Sequence, residues 1–321
     1  MKRGRWIALG GLLLLGILPF VGQVPIRPSD LLAGGWKADV FWTLRVPRVL
    51  LALGGGGLLA LAGLIFQHLF RNGLATPDTT GVSAGAAFGA ALALKFPLPL
   101  PLGTFGQTFL FAFLGGLLAL LVLLAVVRWT RDRSIYTLLM AGIATAALFS
   151  ASTLLIQYLL DAASTQSMVR WLMGGVAAAG YREALAMGLV LALLLAGGLL
   201  FRRQLLLIAI GDEVAAGKGM DPARFRLGAF VAGSMATGAA VALIGPVGFI
   251  GLIVPHLARL WSRGRFQQTL VLTPILGALL LAGADAVART VAAPAEIPVG
   301  ILTAMLGAPF FFFILARHLR R

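Results

Sequence analysis

Nine stretches of the chain carry no Asp, Glu, Lys or Arg: 6–26, 49–70, 79–94, 96–127, 134–160, 184–201, 227–258, 266–284 and 297–316. Most reach the roughly 18–20 residues that a helix needs to cross a bilayer. Leu and Ala dominate them and strict alternation is weak, so the pattern predicts helices and not barrel strands. The stretch 227–258 is 32 residues long, too much for one ordinary span, and Gly245-Pro246-Val247-Gly248 in its middle should break a helix. Dividing it gives ten predicted spans, near 6–22, 47–70, 79–96, 104–127, 134–160, 184–201, 225–245, 248–261, 267–288 and 298–316.

Basic residues decide between ten spans and nine. With ten, both termini fall on the inner side and the 26 Lys and Arg divide 18 inside to 8 outside. With nine, every later loop changes side and the same 26 divide 13 to 13. The excess of Lys and Arg in cytoplasmic loops favours ten. The start, MKRGR followed by an apolar run, has the outline of a signal peptide. No small-x-small cleavage site follows, and Pro19-Phe20 stands where one is expected, so an uncleaved first span is predicted. Loops are short and no linker interrupts the pattern, which predicts one transmembrane domain over residues 1–321. Gln166 to Met173 is expected to form a short surface helix between spans five and six.

Composition agrees with that class. Sixty per cent of residues are hydrophobic and 12 per cent charged, too little charge to wet the surface of a soluble protein of 321 residues. The formal net charge of +15 would suggest a nucleic-acid partner in a soluble protein; here it is accounted for by cytoplasmic loops. There is no cysteine, so disulfide and thiol chemistry are excluded. Glycine is abundant at 41 residues, with Gly54 to Gly57 consecutive, and in lipid small residues let helices approach closely.

One charged island interrupts the inner side: IGDEVAAGKGMDPARFR, Ile210 to Arg226. It approaches a phosphate loop without meeting its spacing. Five residues separate Gly211 from Gly217, and Gly219 stands where Ser or Thr should follow Lys218. Leu205 to Met220 is expected to form one or two short helices ended by glycine and Asp221-Pro222. Such a piece suits a surface that docks another protein, or a plain solvated loop. A second motif, Gly81-Val-Ser83-Ala-Gly85, matches the hydrolase elbow G-x-S-x-G but opens a membrane helix where a strand is required. The three histidines, His68, His256 and His318, are too scattered for a metal site.

Arg45, Arg48 and Arg289 run against the topology rule by lying on the outer side. They read either as headgroup anchors or as a basic rim that captures acidic side chains of an outer partner. Asp285, one turn before Arg289, is a possible helix partner. Other ionisable groups are nearly absent from the spans, whereas an ion-coupled carrier usually keeps a carboxylate near the midplane. Energy is therefore expected from a partner, entering through the charged island; an ion-coupled secondary transporter is the alternative.

Five stretches in one order carry a resemblance: LRVPR (44–48), RNGLATPDTTGVSAGAAFGA (71–90), LLMAGIA (138–144), GPVGFIGLIVPHLARL (245–260) and ADAVARTVAAPAEIPVGILTAMLGAPFFFFIL (284–315). From about residue 40 to 316 the chain resembles the permease family of ATP-binding-cassette importers for iron-siderophores, haem and vitamin B12. The resemblance implies an all-α fold of ten spans, a homodimer with a path at its interface, two cytoplasmic ATPase subunits and an extracytoplasmic substrate-binding protein. It implies a bacterial inner-membrane location and no cofactor on this chain, with ATP and magnesium held by the ATPases.

The family's ATPase-coupling segment, between spans six and seven, would fall at about 204–224, with Asp212, Glu213, Ala215, Ala216 and Gly219 on its loose Glu-Ala-Ala…Gly signature. Its outer arginines fall on Arg45, Arg48 and Arg289, with Glu296 at a fitting distance along the chain. Its cytoplasmic gate, Asn-Pro-Leu, falls on Asn72 and Leu74, with Gly73 in place of the proline. Span five, through Thr145, Ser150, Ser152, Thr153 and Gln157, would line the path, although the same polar scatter fits interhelical hydrogen bonding. Iron chelates rank first as cargo, then cobalamin, then haem.

Overall fold

The computed structural model describes residues 16–98, 103–132, 134–176 and 180–319, with side chains for all of these except 103–105 and 313–319. Among them there are helices and no strands. We number the α-helices in chain order. α1 is Pro28–Ala33 and α2 is the continuous run Trp36–Leu69. α3 is Val82–Lys95, α4 Gly103–Thr130, α5 Ile135–Tyr158, α6 Ala162–Leu172 and α7 Tyr181–Leu200. α8 is Arg202–Ile210, α9 Asp212–Gly217, α10 Pro222–Ile244, α11 Ile250–Ser262, α12 Phe266–Ala288 and α13 Val299–Leu319. Short 3-10 turns stand at Leu18–Phe20 and Pro77–Thr80.

Helices occupy nine of the ten predicted span positions; the first span, 6–22, lies for the most part outside the described residues. Among the described residues six helices are long and apolar enough to cross a membrane: α2, α4, α5, α7, α10 and α12. α3 has 14 residues and α11 has 13, about 20 Å each at 1.5 Å per residue, short of a full crossing. For α11 the reason is the break the sequence predicts. Gly245, at φ 68°, stops α10, and no helix resumes until Ile250, so that α11 opens against the last third of α2, with Gly251 beside Gly63. Local chemistry sets the other ends. Ser134 caps α5 by accepting from Thr137 N–H at 3.2 Å, Asp161 caps α6 through Ser164 N–H at 2.6 Å, and Asp221 caps α10 through Arg224 N–H at 3.0 Å, with Pro222 in its first turn. The expected surface helix at Gln166–Met173 is α6, starting four residues earlier, where Asp161 supplies the cap.

α2 is the axis. Of its most apolar window 89% is buried, against 28% for α5 and 22% for α7. α2 therefore belongs to the protein interior, while α5 and α7 turn apolar faces away from the rest of the chain. The glycine run explains how one helix serves so many neighbours. At 100° per residue, Gly54, Gly55, Gly56 and Gly57 point in four directions. They meet Met187 of α7, Ile244 of α10, Gly277 of α12, and Leu191 with the Pro274 carbonyl, respectively. A Cβ on Gly56 would overlap the Gly277 carbonyl, and one on Gly277 the Gly56 carbonyl, so α2 and α12 cross backbone to backbone. α3 and α4 cross in the same manner through Gly85, Gly89 and Gly115.

α2 begins at what we call the upper end and finishes at the lower end. Its first part widens to a π-helical turn at Phe41–Arg45. Pro47 follows directly; it has no N–H to donate and its ring crowds the carbonyl four residues back, which an expanded turn relieves. At the helix ends Arg71, Arg131 and Arg263, after α2, α4 and α11, adopt left-handed backbone at φ 50°, 55° and 53°. Their charges complement the negative poles of those helices.

Candidate functional site

At the upper end α2 and α12 are joined by an ion-pair cluster. The Arg48 guanidinium donates to Asp285 Oδ1 at 3.0 Å through one terminal nitrogen, which also reaches Glu296 Oε2 at 2.9 Å. Arg289 Nε pairs with Asp285 Oδ2 at 3.1 Å one helical turn away, as the spacing predicts. Asp285 is fully buried and Arg289 is 4% exposed. Arg45 is also interior; it donates to the carbonyls of Pro19, Phe20 and Val24 at 3.3, 3.2 and 2.5 Å and so pins the segment before α1.

Of the basic rim expected on Arg45, Arg48 and Arg289, Arg45 and Arg289 are buried in this conformation. Asp285 and three backbone carbonyls draw these cations inward, since burying an unpaired charge is costly. Only Arg48, at 17% side-chain exposure, and its partner Glu296, at 46%, reach the surface. Glu296 serves Arg48, not Arg289.

At the lower end α2 runs into a tight turn. The Asn72 side-chain oxygen accepts the Leu74 N–H at 2.9 Å, and its backbone carbonyl accepts Ala75 N–H at 3.1 Å. Asn72 thereby stiffens the position where Gly73 lacks a proline ring. Gly73 also leaves room for His256: a Cβ there would lie 3.2 Å from the imidazole Cε1. Leu74 is 45% exposed. A polar brace backs this turn. Gln67 donates to the carbonyls of Gly251 and Leu252, both at 3.2 Å, and accepts from Arg259 at 2.7 Å, which ties α2 to α11. Nothing in the spacing of Gln67 and Arg259, 192 positions apart, announces this brace.

Beside the turn lie α8 and α9, joined at Gly211. Of the residues expected to couple to a partner, Glu213, Ala216 and Gly219 are exposed and share one surface with the exposed Ile210 and Val214. Ala215 is fully buried, and Asp212 turns toward the protein body to meet Arg71 and Arg226. Direct contact through Ala215 is therefore excluded in this conformation: on a one-and-a-half-turn helix it occupies the side that packs inward.

α5 divides its polar residues. Thr145 and Thr153 are 3% and 5% exposed, and Thr153 donates to the Phe149 carbonyl of its own helix at 2.7 Å. Both are buried in the single chain, the placement that interhelical packing also gives. Ser150 is exposed, while Ser152 and Gln157 are half-buried. The open face of α5 is otherwise apolar, with Ile143, Leu148, Leu154 and Leu155 all more than half exposed. A cavity of about 560 Å³ between α4, α7 and α10 is lined by glycine and apolar residues alone, among them Phe113, Leu194, Phe225 and Met235. It offers nothing to hold a polar cargo.

The two decoy motifs resolve simply. Ser83 donates to Asp78 Oδ1 at 2.8 Å and caps nothing catalytic: the arrangement places a carboxylate where a hydrolase needs an imidazole base. Among the described residues no group of three His, Cys, Asp or Glu could hold a metal. Outside the spans, the Thr137 and Ser134 hydroxyls and the Ser134 N–H hold the Asp132 carboxyl below the usual carboxylate range.

Comparison with known proteins adds four findings. A family model described as the FecCD transport family matches residues 9–317. The hemin transport system permease protein of Yersinia pestis is 36% identical over 321 residues, covering 97% of this chain and 96% of that protein. The molybdate import system permease protein of Haemophilus influenzae is 40% identical over 299 residues, covering 92% and 86%. A solved structure of an inward-facing conformation of a metal-chelate type ABC transporter superposes with a TM-score of 0.83 at 32% identity, covering 98% of this chain and 99% of that one.

Proposed function

This chain belongs to the FecCD transport family, and from that premise we propose that it is the permease of an ATP-binding-cassette importer for an iron chelate or a related metal-chelate cargo. The observation that carries the reading is the α8–α9 pair. The pair presents a compact exposed face of Glu213, Ala216 and Gly219, held on a buried Ala215. A soluble partner can grip such a face, and small residues let it approach closely.

In this reading the chain is one transmembrane domain of ten spans with both termini in the cytoplasm of a bacterial inner membrane, and the lower end is cytoplasmic. Two ATPase subunits, which carry ATP and magnesium, dock on α8–α9. A substrate-binding protein docks at the upper end, where Arg48 and Glu296 reach the surface. Two copies of the chain meet along the open face of α5, and cargo passes between them, with Ser150, Ser152 and Gln157 as its polar contacts. Asn72 and Leu74 form the cytoplasmic gate, and the dimer alternates between outward- and inward-open states. The permease breaks no covalent bond.

The hemin and molybdate relatives differ widely in cargo at similar identity, which supports placing cargo choice largely in the binding protein. The experiment is a pull-down of the cognate ATPase. Glu213→Arg should weaken its association about tenfold and leave binding-protein association unchanged. Unchanged ATPase association would refute the assignment.

A further inference from the structure

We propose that Arg71 is a mechanical link that couples the α8–α9 pair to the gate turn. The link rests on the reading of α8–α9 as the ATPase handle and of Asn72–Leu74 as the gate. Its evidence is independent of that reading. Arg71 is the second residue past α2, after Phe70, and the residue before Asn72, so any displacement of its backbone passes directly into the turn. Its Nε donates to the Ile208 carbonyl in the last turn of α8 at 2.8 Å. Its terminal nitrogen pairs with the carboxylate of Asp212, the first residue of α9. The same Asp212 oxygen takes a second guanidinium, Arg226 of α10, at 2.5 Å.

One carboxylate thus joins the lower end of α2, the start of α9 and the start of α10. Two cations on one anion leave a net positive charge, and the carbonyl end of α8, the negative pole of that helix, lies against it. The clamp is built on firm ground at both sides. Arg226 is 2% exposed, and Ile208 and Ala215 are fully buried, so the helical pair is fixed to the body at several points. The Arg71 backbone supports the same conclusion. It is left-handed at φ 50°, a conformation unfavourable for an L-residue and usually filled by Gly or Asn at a helix end. Asn72 and Gly73 stand immediately after it, yet the arginine holds the position and its side chain makes both bonds to α8–α9.

The consequence concerns force. Partner motion that shifts α8–α9 moves the Asp212 carboxylate, and the Arg71 guanidinium carries that shift to residues 72–74. Arg226 splits the same input toward α10. Arg71 is a positioning residue: it contacts no cargo.

The chain has no native cysteine, so Leu74→Cys gives a single thiol at the gate. In the complete transporter, with ATPases and binding protein in proteoliposomes, its rate of maleimide labelling is measured with and without ATP. In the parent background the rate should depend on nucleotide. With Arg71→Gln, and separately with Asp212→Asn, that dependence should disappear, and uptake per ATP hydrolysed should fall about tenfold. The double variant should be no worse than either single one, because both cut one link. Co-purification of the ATPases should be retained. A labelling rate at position 74 that responds to ATP equally in the parent and in both variants overturns the link and leaves the gate assignment standing. Loss of ATPase co-purification in both variants also overturns it, placing the pair in docking. Absence of any nucleotide response in the parent overturns the gate assignment and the link together.

Discussion

Removing the Asp285 carboxylate tests whether the upper cluster is an internal clamp. Asp285→Ala leaves Arg48 with Glu296 as its one carboxylate partner, at 2.9 Å. Arg289 is left with its own chain's Asp285 carbonyl at 3.3 Å, and one of its terminal nitrogens already lacks a partner among the described residues. Breaking a buried pair by deleting one member costs about 3–5 kcal/mol. Glu296→Gln should cost about 0–1 kcal/mol, because Glu296 is half exposed and Arg48 keeps Asp285. At about 2–4 °C per kcal/mol, Asp285→Ala should lower the apparent melting temperature by about 6–20 °C, and Glu296→Gln by less than about 4 °C. The assay is thermal challenge in detergent followed by size-exclusion chromatography with fluorescence detection. Adding Arg289→Leu to Asp285→Ala should recover part of the loss, since an apolar replacement of both partners is tolerated. An Asp285→Ala protein that melts within about 2 °C of the parent would refute the clamp, because no buried cation could then be stranded.

Gly56→Ala should destabilise by about 1–3 kcal/mol through overlap with the Gly277 carbonyl, while Gly188→Ala, with nothing within 4 Å of the added carbon, should be neutral in the same thermal assay. If carboxylates of the binding protein use Arg48, Glu296 competes with them. Glu296→Gln should then tighten binding-protein association about two- to fivefold, read by surface plasmon resonance; weaker association would contradict this. Asp132, held below the usual carboxylate range, contributes stability that is present above its unfolded pKa and is lost as pH falls through its folded one. The melting difference between the parent and Asp132→Asn should be present at about pH 7 and disappear as pH falls below the usual carboxylate range.

Much of the architecture is legible in the chain because bilayer thickness and helix rise together fix the length of an apolar run. Gly245-Pro246 ends α10 where the sequence predicts, and the caps at Ser134, Asp161 and Asp221 stand at their helix starts. The glycine run at 54–57 is visible as a packing surface, but which helix each glycine meets depends on long-range arrangement. The fate of the charges is the part that spacing does not show. Arg45, Arg48 and Arg289 read as a rim because they lie at span ends, yet Asp285 and backbone carbonyls draw them inward. Ala215 fits a surface signature, but a six-residue helix must turn one side to the protein and Ala215 occupies it, while Asp212 stays half exposed in its pairs with Arg71 and Arg226. The Arg71–Asp212 contact joins residues 141 apart, and no local period encodes it. Thr145 and Thr153 are polar residues buried on a membrane helix, and the Thr153 hydroxyl bonds the Phe149 carbonyl of that helix, a use that composition alone cannot separate from a path.

The central claim is that this chain is a passive gate driven by partner ATPases. Its most direct test is uptake of a labelled ferric siderophore into proteoliposomes, with the binding protein present, comparing the chain alone with the chain plus ATPase subunits and ATP. The account predicts accumulation above the outside concentration only in the complete system. Accumulation by the chain alone, under an imposed proton or sodium gradient, would contradict it.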